Sequence, residues 1–262
     1  MLAIPIRDDT PIRRPPVVTW ALIVACASVF LWQASLPSRV ADRISLEFGM
    51  IPAVLFGETQ LPVRLRVVPA WLTPVTSMFL HGGWLHLIGN MLFLGLFGRG
   101  VESALGSVRF GAVYLLCGIA AAVTQAAINP AETVPMIGAS GAIAGVLGAY
   151  LLLFPRANVD VFIWIVIFVR LISVPAVILL GLWFLIQLVS ALGADPTRPG
   201  VAFWAHVGGF GAGLVLVGLF GPRRTGSVGL AGSPAFRIRR VGRYAGGSVP
   251  RAGLRRRGPW DR

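Results

Sequence analysis

Six apolar runs near bilayer length, at about 17–36, 83–98, 109–128, 137–154, 171–192 and 201–220, leave this chain almost no route to a water-soluble fold. A bilayer's hydrocarbon core takes about 20 mainly apolar residues per helix. Charge is scarce to match: 13% of 262 residues, against about a quarter in a soluble chain, with a mean hydropathy of +0.78. These values exclude a soluble globular domain, and also the disordered, collagen-like and disulfide-scaffold classes. The expected architecture is all-α, a polytopic membrane protein with a bundle of six transmembrane helices.

The run at 17–36 follows Arg13-Arg14-Pro15-Pro16. It is too long for a secretory leader and lacks a small-residue cleavage site, so it is expected to remain as a span. Residues 37–80 are too polar to cross, yet rich in Leu, Val, Trp and Pro. Between residues 161 and 192 the only charge is Arg170. A helix of that extent would be about 48 Å long, too long for one span and too short for two with a turn. Residues 159–169 are therefore expected to form a short interfacial or buried piece, with the fifth span at 171–192. A loop over 195–200, Asp-Pro-Thr-Arg-Pro-Gly, precedes the sixth.

The net charge of +13 is unevenly placed. Every basic residue is Arg, and residues 221–262 carry eleven of them against the single acid Asp261. That Gly-, Pro- and Ser-rich tail is expected to be disordered and cytoplasmic. It would hold the C-terminus inside and could also bind anionic lipids, at about 1 kcal/mol per Arg. No nucleic acid is expected, since Phe236, Tyr244 and Trp260 are too sparse for a stacking platform. Arg in the flanks of the spans sets both termini inside, with residues 1–16 as a cytoplasmic segment and 17–220 as the membrane core. All-Arg usage with abundant Gly and Ala suggests a GC-rich bacterial source and hence the bacterial plasma membrane. Cys26 and Cys117 lie inside apolar runs, where no structural disulfide is expected.

In this orientation spans two, four and six all begin at the outer face, and the polar residues collect there. The three histidines, His81, His86 and His206, sit at the starts of spans two and six. Ser140 opens span four, and Asn90 follows His86 by one helical turn on the same face. Small-residue faces accompany them: Gly141, Gly145 and Gly148 after Ser140, and Gly209 and Gly213 after His206. Such faces let membrane helices pack backbone to backbone. If spans four and six meet along them, Ser140 and His206 come within hydrogen-bond reach as a nucleophile and its general base. His86, Asn90 and the Ser140 N–H would then face a developing oxyanion. No carboxylate offers itself as a third member: Glu102 is about 24 Å from His86 along a helix, and Glu132 and Asp195 lie in outer loops. A Ser-His dyad is the economical reading, with no metal and no cofactor.

His81-Gly-Gly-Trp84-Leu-His86-Leu-Ile-Gly-Asn90, Gly138-Ala-Ser140-Gly141 and Ala205-His206-Val-Gly208-Gly209 resemble the three signature motifs of rhomboid intramembrane serine proteases, in family order. Trp71, the segment from Gly98 to Glu102 with Gly106, and Tyr150 to Pro155 agree more weakly. The resemblance covers roughly 17–220. It implies a six-helix core whose serine cleaves a peptide bond in or near another protein's transmembrane helix. It assigns Ser140 as nucleophile, His206 as base, and His86 with Asn90 as oxyanion contributors; Gly138, Gly141, Gly145, Gly209, Gly213 and His81 support them. It further implies that 38–80 form a partly embedded outer loop, and that span five with the loop at 193–200 gates access. One departure stands out: many members place an aromatic residue four after the serine, where it stacks on the histidine, and here that position is Ala144.

Plainer readings exist for each residue. Ser140 alone could serve packing, since a serine in a membrane helix bonds its own backbone at little cost. His86 and Asn90 could be an interhelical hydrogen-bond pair, His81 a loop anchor, and Trp71 and Trp84 interfacial anchors. The rival from another class is an inactive rhomboid-like protein that binds membrane clients, although such relatives typically lack the serine or the histidine. A small-solute transporter would predict inverted repeats and midplane charges, and neither is visible.

Overall fold

The computed structural model describes residues 2–165, 168–194 and 200–220. The Arg-rich tail and residues 195–199 of the expected loop lie outside them. In a bilayer every backbone N–H and C=O must be satisfied within the segment, so long apolar runs become helices. Helix α1 (Val17–Ala34) is followed by the amphipathic α2 (Ser38–Phe48), then by α3 (Pro52–Leu55) and α4 (Thr73–Thr76) among short 3-10 turns. Helix α5 (Trp84–Phe93) passes through a π-helical stretch, Leu94–Gly98, directly into α6 (Arg99–Leu105). There follow α7 (Ser107–Ile128), α8 (Ser140–Leu153), α9 (Ala176–Gly193) and α10 (Phe203–Phe220).

Among the described residues, α1, α7 and α9 are long and apolar enough to cross a membrane. Val63–Phe79 and Trp84–Leu105, bent by 83° from each other, together make a fourth candidate if the pair is one broken span, and α8 and α10 are shorter apolar helices. Helical structure over the expected second span continues past 98 to Leu105, because the π-helical stretch bridges the glycines rather than ending the helix.

The all-α expectation needs correction. A three-stranded antiparallel sheet joins β1 (Leu2–Asp8), β2 (Asn158–Ile165) and β3 (Phe168–Pro175) in that order. Residues 159–165 thus belong to β2 and residues 168 and 169 open β3, and α9 begins at Ala176, after Pro175, rather than at 171. The cause is local: 158–175 are dominated by Val, Ile, Phe and Trp, which suit a pleated surface. Their alternation shows only partly, as Val159 and Val161 are buried between half-buried neighbours. The N-terminal residues, expected as a plain segment, supply the edge strand β1. It tolerates Pro5, which has no N–H to donate, at an irregularity in the pairing between Pro5 and Arg7.

Helix α8 runs through the middle of the molecule, with Gly141 through Tyr150 all buried. It lies backbone to backbone on α10. A Cβ on Gly209 would overlap the Gly141 carbonyl oxygen, one on Gly213 that of Gly145, and one on Gly148 that of Phe210. On its other side Gly145 meets Cys117 and Gly141 meets Ala121, both on α7. Packing this close rewards dispersion, the main attraction between helices in lipid.

Polar ties hold the end of α8 away from Ser140. Tyr150 Oη donates to Asp8 Oδ2 at 2.8 Å, so β1 is bound to the helix it flanks; Thr10 also donates to Asp8, and Arg99 pairs with it at 3.5 Å. Glu102 is fully buried and accepts from Val18 N–H at 2.9 Å, Thr19 N–H and Oγ1 at 2.7 Å each, and Ser107 Oγ at 2.6 Å. It caps the start of α1, whose first N–H groups have no intrahelical partner, and ties it to the start of α7. This carboxylate is structural and remote from the histidines, in keeping with its sequence distance.

Candidate active site

The chain reaches Ser140 through a loop anchored by the segment before α5. Met50 and Met136 exchange backbone hydrogen bonds at 3.0 and 2.7 Å, Ala53 N–H donates to Glu132 O at 3.0 Å, and Gly138 N–H to Ser77 O at 2.8 Å. The loop turns into α8 at Gly138, whose φ of +121° an L side chain rarely adopts. A Cβ there would also stand 2.7 Å from the His86 ring. This glycine therefore serves both the turn and the approach of the imidazole. Ser140 is the first residue of α8, so its N–H belongs to the helix's unpaired first turn, where the helix dipole favours negative charge.

His206 enters from α10, whose first turn is fixed to α7 by Ala205 N–H donating to Gln125 Oε1 at 3.3 Å and by Thr124 packed under Gly208. Its Nε2 lies 2.9 Å from Ser140 Oγ, and its Nδ1 lies 2.7 Å from Gln187 Oε1 on α9. A carbonyl oxygen only accepts, so Nδ1 carries the ring proton, and the bare Nε2 accepts the Ser140 hydroxyl. Both residues are part-exposed and line a cavity.

His86 and Asn90 line the same cavity, of about 550 Å³, together with Gly138, Ser140, Trp183 and His206. Asn90 is 8% exposed, and its Nδ2 is buried without a partner. A donor held unpaired at that cost is available to a group that arrives later. His81 is buried behind them: its N–H donates to Gln33 Oε1 at 3.2 Å, its Nδ1 lies 3.3 Å from Phe79 O, and its ring packs edge-on against His86 at 5.2 Å. These contacts suit an anchor for the loop and for His86. Trp71 and Trp84 are exposed, and Trp84 stacks edge-on against Phe30 of α1.

Ala144 is buried within α8, and the aromatic neighbours of His206 come from elsewhere. Trp183 on α9 lies 6.0 Å from the imidazole and Phe203 on α10 lies 6.5 Å from it, centroid to centroid. Sequence reasoning missed both Trp183 and Gln187. The available signal was an amide one turn after a tryptophan in an otherwise apolar run, on the side opposite Leu185, Ile186 and Val189.

These motifs, and the helices that carry them, lie in a stretch that defines the class. The Rhomboid domain matches residues 69–223, more than half of the chain, and the chain belongs to the rhomboid family. It is an integral membrane protein by its candidate spans. It is 32% identical over 139 residues to RHOMBOID-like protein 4 of Arabidopsis thaliana, covering 53% of this chain and 31% of that one. It is 34% identical over 144 residues to "Putative rhomboid protease YdcA" of Bacillus subtilis (strain 168), covering 55% of this chain and 65% of that one. RHOMBOID-like protein 5 of Arabidopsis thaliana is 36% identical over 77 residues, 29% of this chain and 25% of the relative. The matched segment thus spans less than two thirds of each of these relatives.

Proposed function

We propose that this protein is an intramembrane serine endopeptidase that cleaves transmembrane or membrane-proximal segments of other membrane proteins. The observation that carries the reading is the 2.9 Å contact between His206 Nε2 and Ser140 Oγ, made by side chains 66 positions apart. A serine engaged only in packing would bond its own helix rather than an imidazole from another.

In the reaction, Ser140 Oγ attacks the scissile carbonyl carbon as His206 Nε2 takes the hydroxyl proton. The oxyanion forms beside the Ser140 N–H, the unpaired Asn90 amide and His86. Collapse breaks the C–N bond, and the leaving amine takes its proton from His206. Water then attacks the acyl-enzyme with His206 again as base, releasing the acid. This water has to enter the cavity that Ser140 and His206 line. Helix α8, with 14 residues, is about 21 Å long and shorter than a bilayer core of about 30 Å. With its far end at one interface, Ser140 sits about 10 Å inside the other, at the depth of a client helix rather than of a soluble peptide. A six-span topology, with α8 and α10 as the two short spans and both termini cytoplasmic, fits this placement, as does a bacterial plasma membrane.

The test is covalent labelling of the purified protein by a serine-directed fluorophosphonate, alongside cleavage of a model transmembrane substrate. Both should be present in the wild type; labelling should vanish in Ser140→Ala, and cleavage should fall by on the order of 10⁶-fold in Ser140→Ala and in His206→Ala. An unlabelled wild type that still captures membrane clients would favour the inactive client-binding alternative.

A further inference from the structure

We propose that Gln187 is a positioning residue for His206, holding the imidazole in the one tautomer that can act as a base. The proposal rests on the hydrolase reading above and adds to it a member that neither motif spacing nor charge reveals.

A neutral imidazole has one N–H, and a general base needs its bare nitrogen turned to the hydroxyl. For Nε2, 2.9 Å from Ser140 Oγ, to take the hydroxyl proton it must be bare, which puts the ring proton on Nδ1. Nδ1 faces Gln187 Oε1 at 2.7 Å, an acceptor at strong hydrogen-bond distance. With Oε1 turned to the ring, as it is here, an Nε2-protonated ring would set two acceptors face to face, and only a turned amide presenting its NH₂ could satisfy that tautomer. In this orientation the contact favours the Nδ1-protonated tautomer. It also fixes the ring plane, which Trp183, one turn before Gln187 on the same face of α9, limits from a second direction at 6.0 Å. When the imidazolium forms during the reaction, the same carbonyl dipole faces the charged Nδ1–H.

The residue type argues the same way. Around Gln187 the outward face of α9 is Leu182, Leu185, Ile186, Val189 and Leu192, all exposed as a lipid-facing surface would be. A primary amide in such a helix is costly unless it is bonded, and its oxygen is bonded to the one imidazole in contact with Ser140. The site therefore works as a serine, a histidine and a neutral amide, the amide taking the place where soluble hydrolases hold a carboxylate.

The experiment combines two readouts on the purified full chain in micelles. The first is ¹⁵N NMR of histidine-labelled protein. With three histidines in the chain, the His206 signals are assigned by comparison with His206→Ala. The second is the rate of fluorophosphonate labelling, with kcat and KM on a model transmembrane substrate. The wild type should show His206 protonated on Nδ1. Gln187→Met, similar in length but without the amide, should shift it toward the Nε2-protonated form. It should also slow labelling and kcat by about 10- to 100-fold, a smaller loss than the roughly 10⁴-fold of a displaced triad carboxylate, with KM changed by less than about threefold. Gln187→Glu, which keeps the acceptor, should recover most of the rate and move the acid limb of the activity–pH profile upward. A purely packing role would move neither tautomer nor pH profile. An Nε2-protonated His206 in the wild type, or a Gln187→Met with unchanged tautomer and rate, overturns the proposal. A wild type with the Nδ1 tautomer but no labelling and no cleavage would instead sink the hydrolase reading, and the positioning role with it.

Discussion

Gly213 of α10 lies so close to Gly145 of α8 that a Cβ on the first would overlap the carbonyl oxygen of the second. One turn nearer the site, Gly209 stands in the same relation to Gly141, the residue after Ser140. With Gly148 against the Phe210 carbonyl, the depth at which His206 meets Ser140 is therefore set by three backbone contacts along one seam.

That seam is tested by Gly213→Leu, whose side chain can only be housed by pushing the helices apart. Overpacking of this kind costs about 1–3 kcal/mol. It should lower the melting temperature in detergent and reduce phosphonate labelling together. Gly211→Ala, on the same helix with open space where its Cβ would sit, should leave both unchanged. Equal effects from the two variants would show that helix propensity, not the seam, controls the site.

Asn90 has a buried Nδ2 with no partner, which makes it a candidate oxyanion donor. Asn90→Ala should lower kcat by about 10²-fold, the scale of one lost oxyanion donor. Stability should be unchanged or slightly higher, because an unsatisfied buried amide is removed. Steady-state cleavage and thermal melts read the two effects separately. Full kcat in the variant would return Asn90 to a structural role.

Glu102 should show the opposite pattern. Glu102→Ala strips partners from the Thr19 and Val18 N–H groups and from two hydroxyls at once. A loss of about 3 kcal/mol or more is expected from donors left buried and unpaired. Labelling per folded molecule should stay near that of the wild type, since the carboxylate is remote from the site. A selective fall in labelling rate with normal melting would show coupling along α5 and α6.

Tyr150→Phe removes the hydroxyl that donates to Asp8. The loss should be about 1.5–3 kcal/mol, the range for hydrogen bonds to charged groups. Hydrogen exchange should quicken first in β1 and β2, because that bond ties the N-terminal strand to α8. Unchanged protection in β1 would show that sheet pairing alone retains the strand.

How far these features could be read from the chain depended on the range of the forces involved. Residues that act through local periodicity were legible: apolar runs, glycine faces beside Ser140 and His206, and a His and an Asn one turn apart. The sheet was not, because residues 161–169 are an unbroken apolar run with no turn residue to mark two strands, and β1 joins them from about 150 positions away. Gln187 escaped notice because one amide a turn after a tryptophan is a weak signal in a single helix, and its partner lies on another helix.

The order of residues alone determined that this protein must enter a membrane, roughly where its long apolar helices would lie, and which side chains could meet at one depth, since hydrophobicity and helical period are properties of short stretches. Tertiary structure decided what touches what. The Ser140–His206 contact, the amide behind the imidazole, the empty donor on Asn90 and the strand clasped by Tyr150 all require helices distant in the chain to settle at one separation, and only the packing of the whole bundle sets that distance.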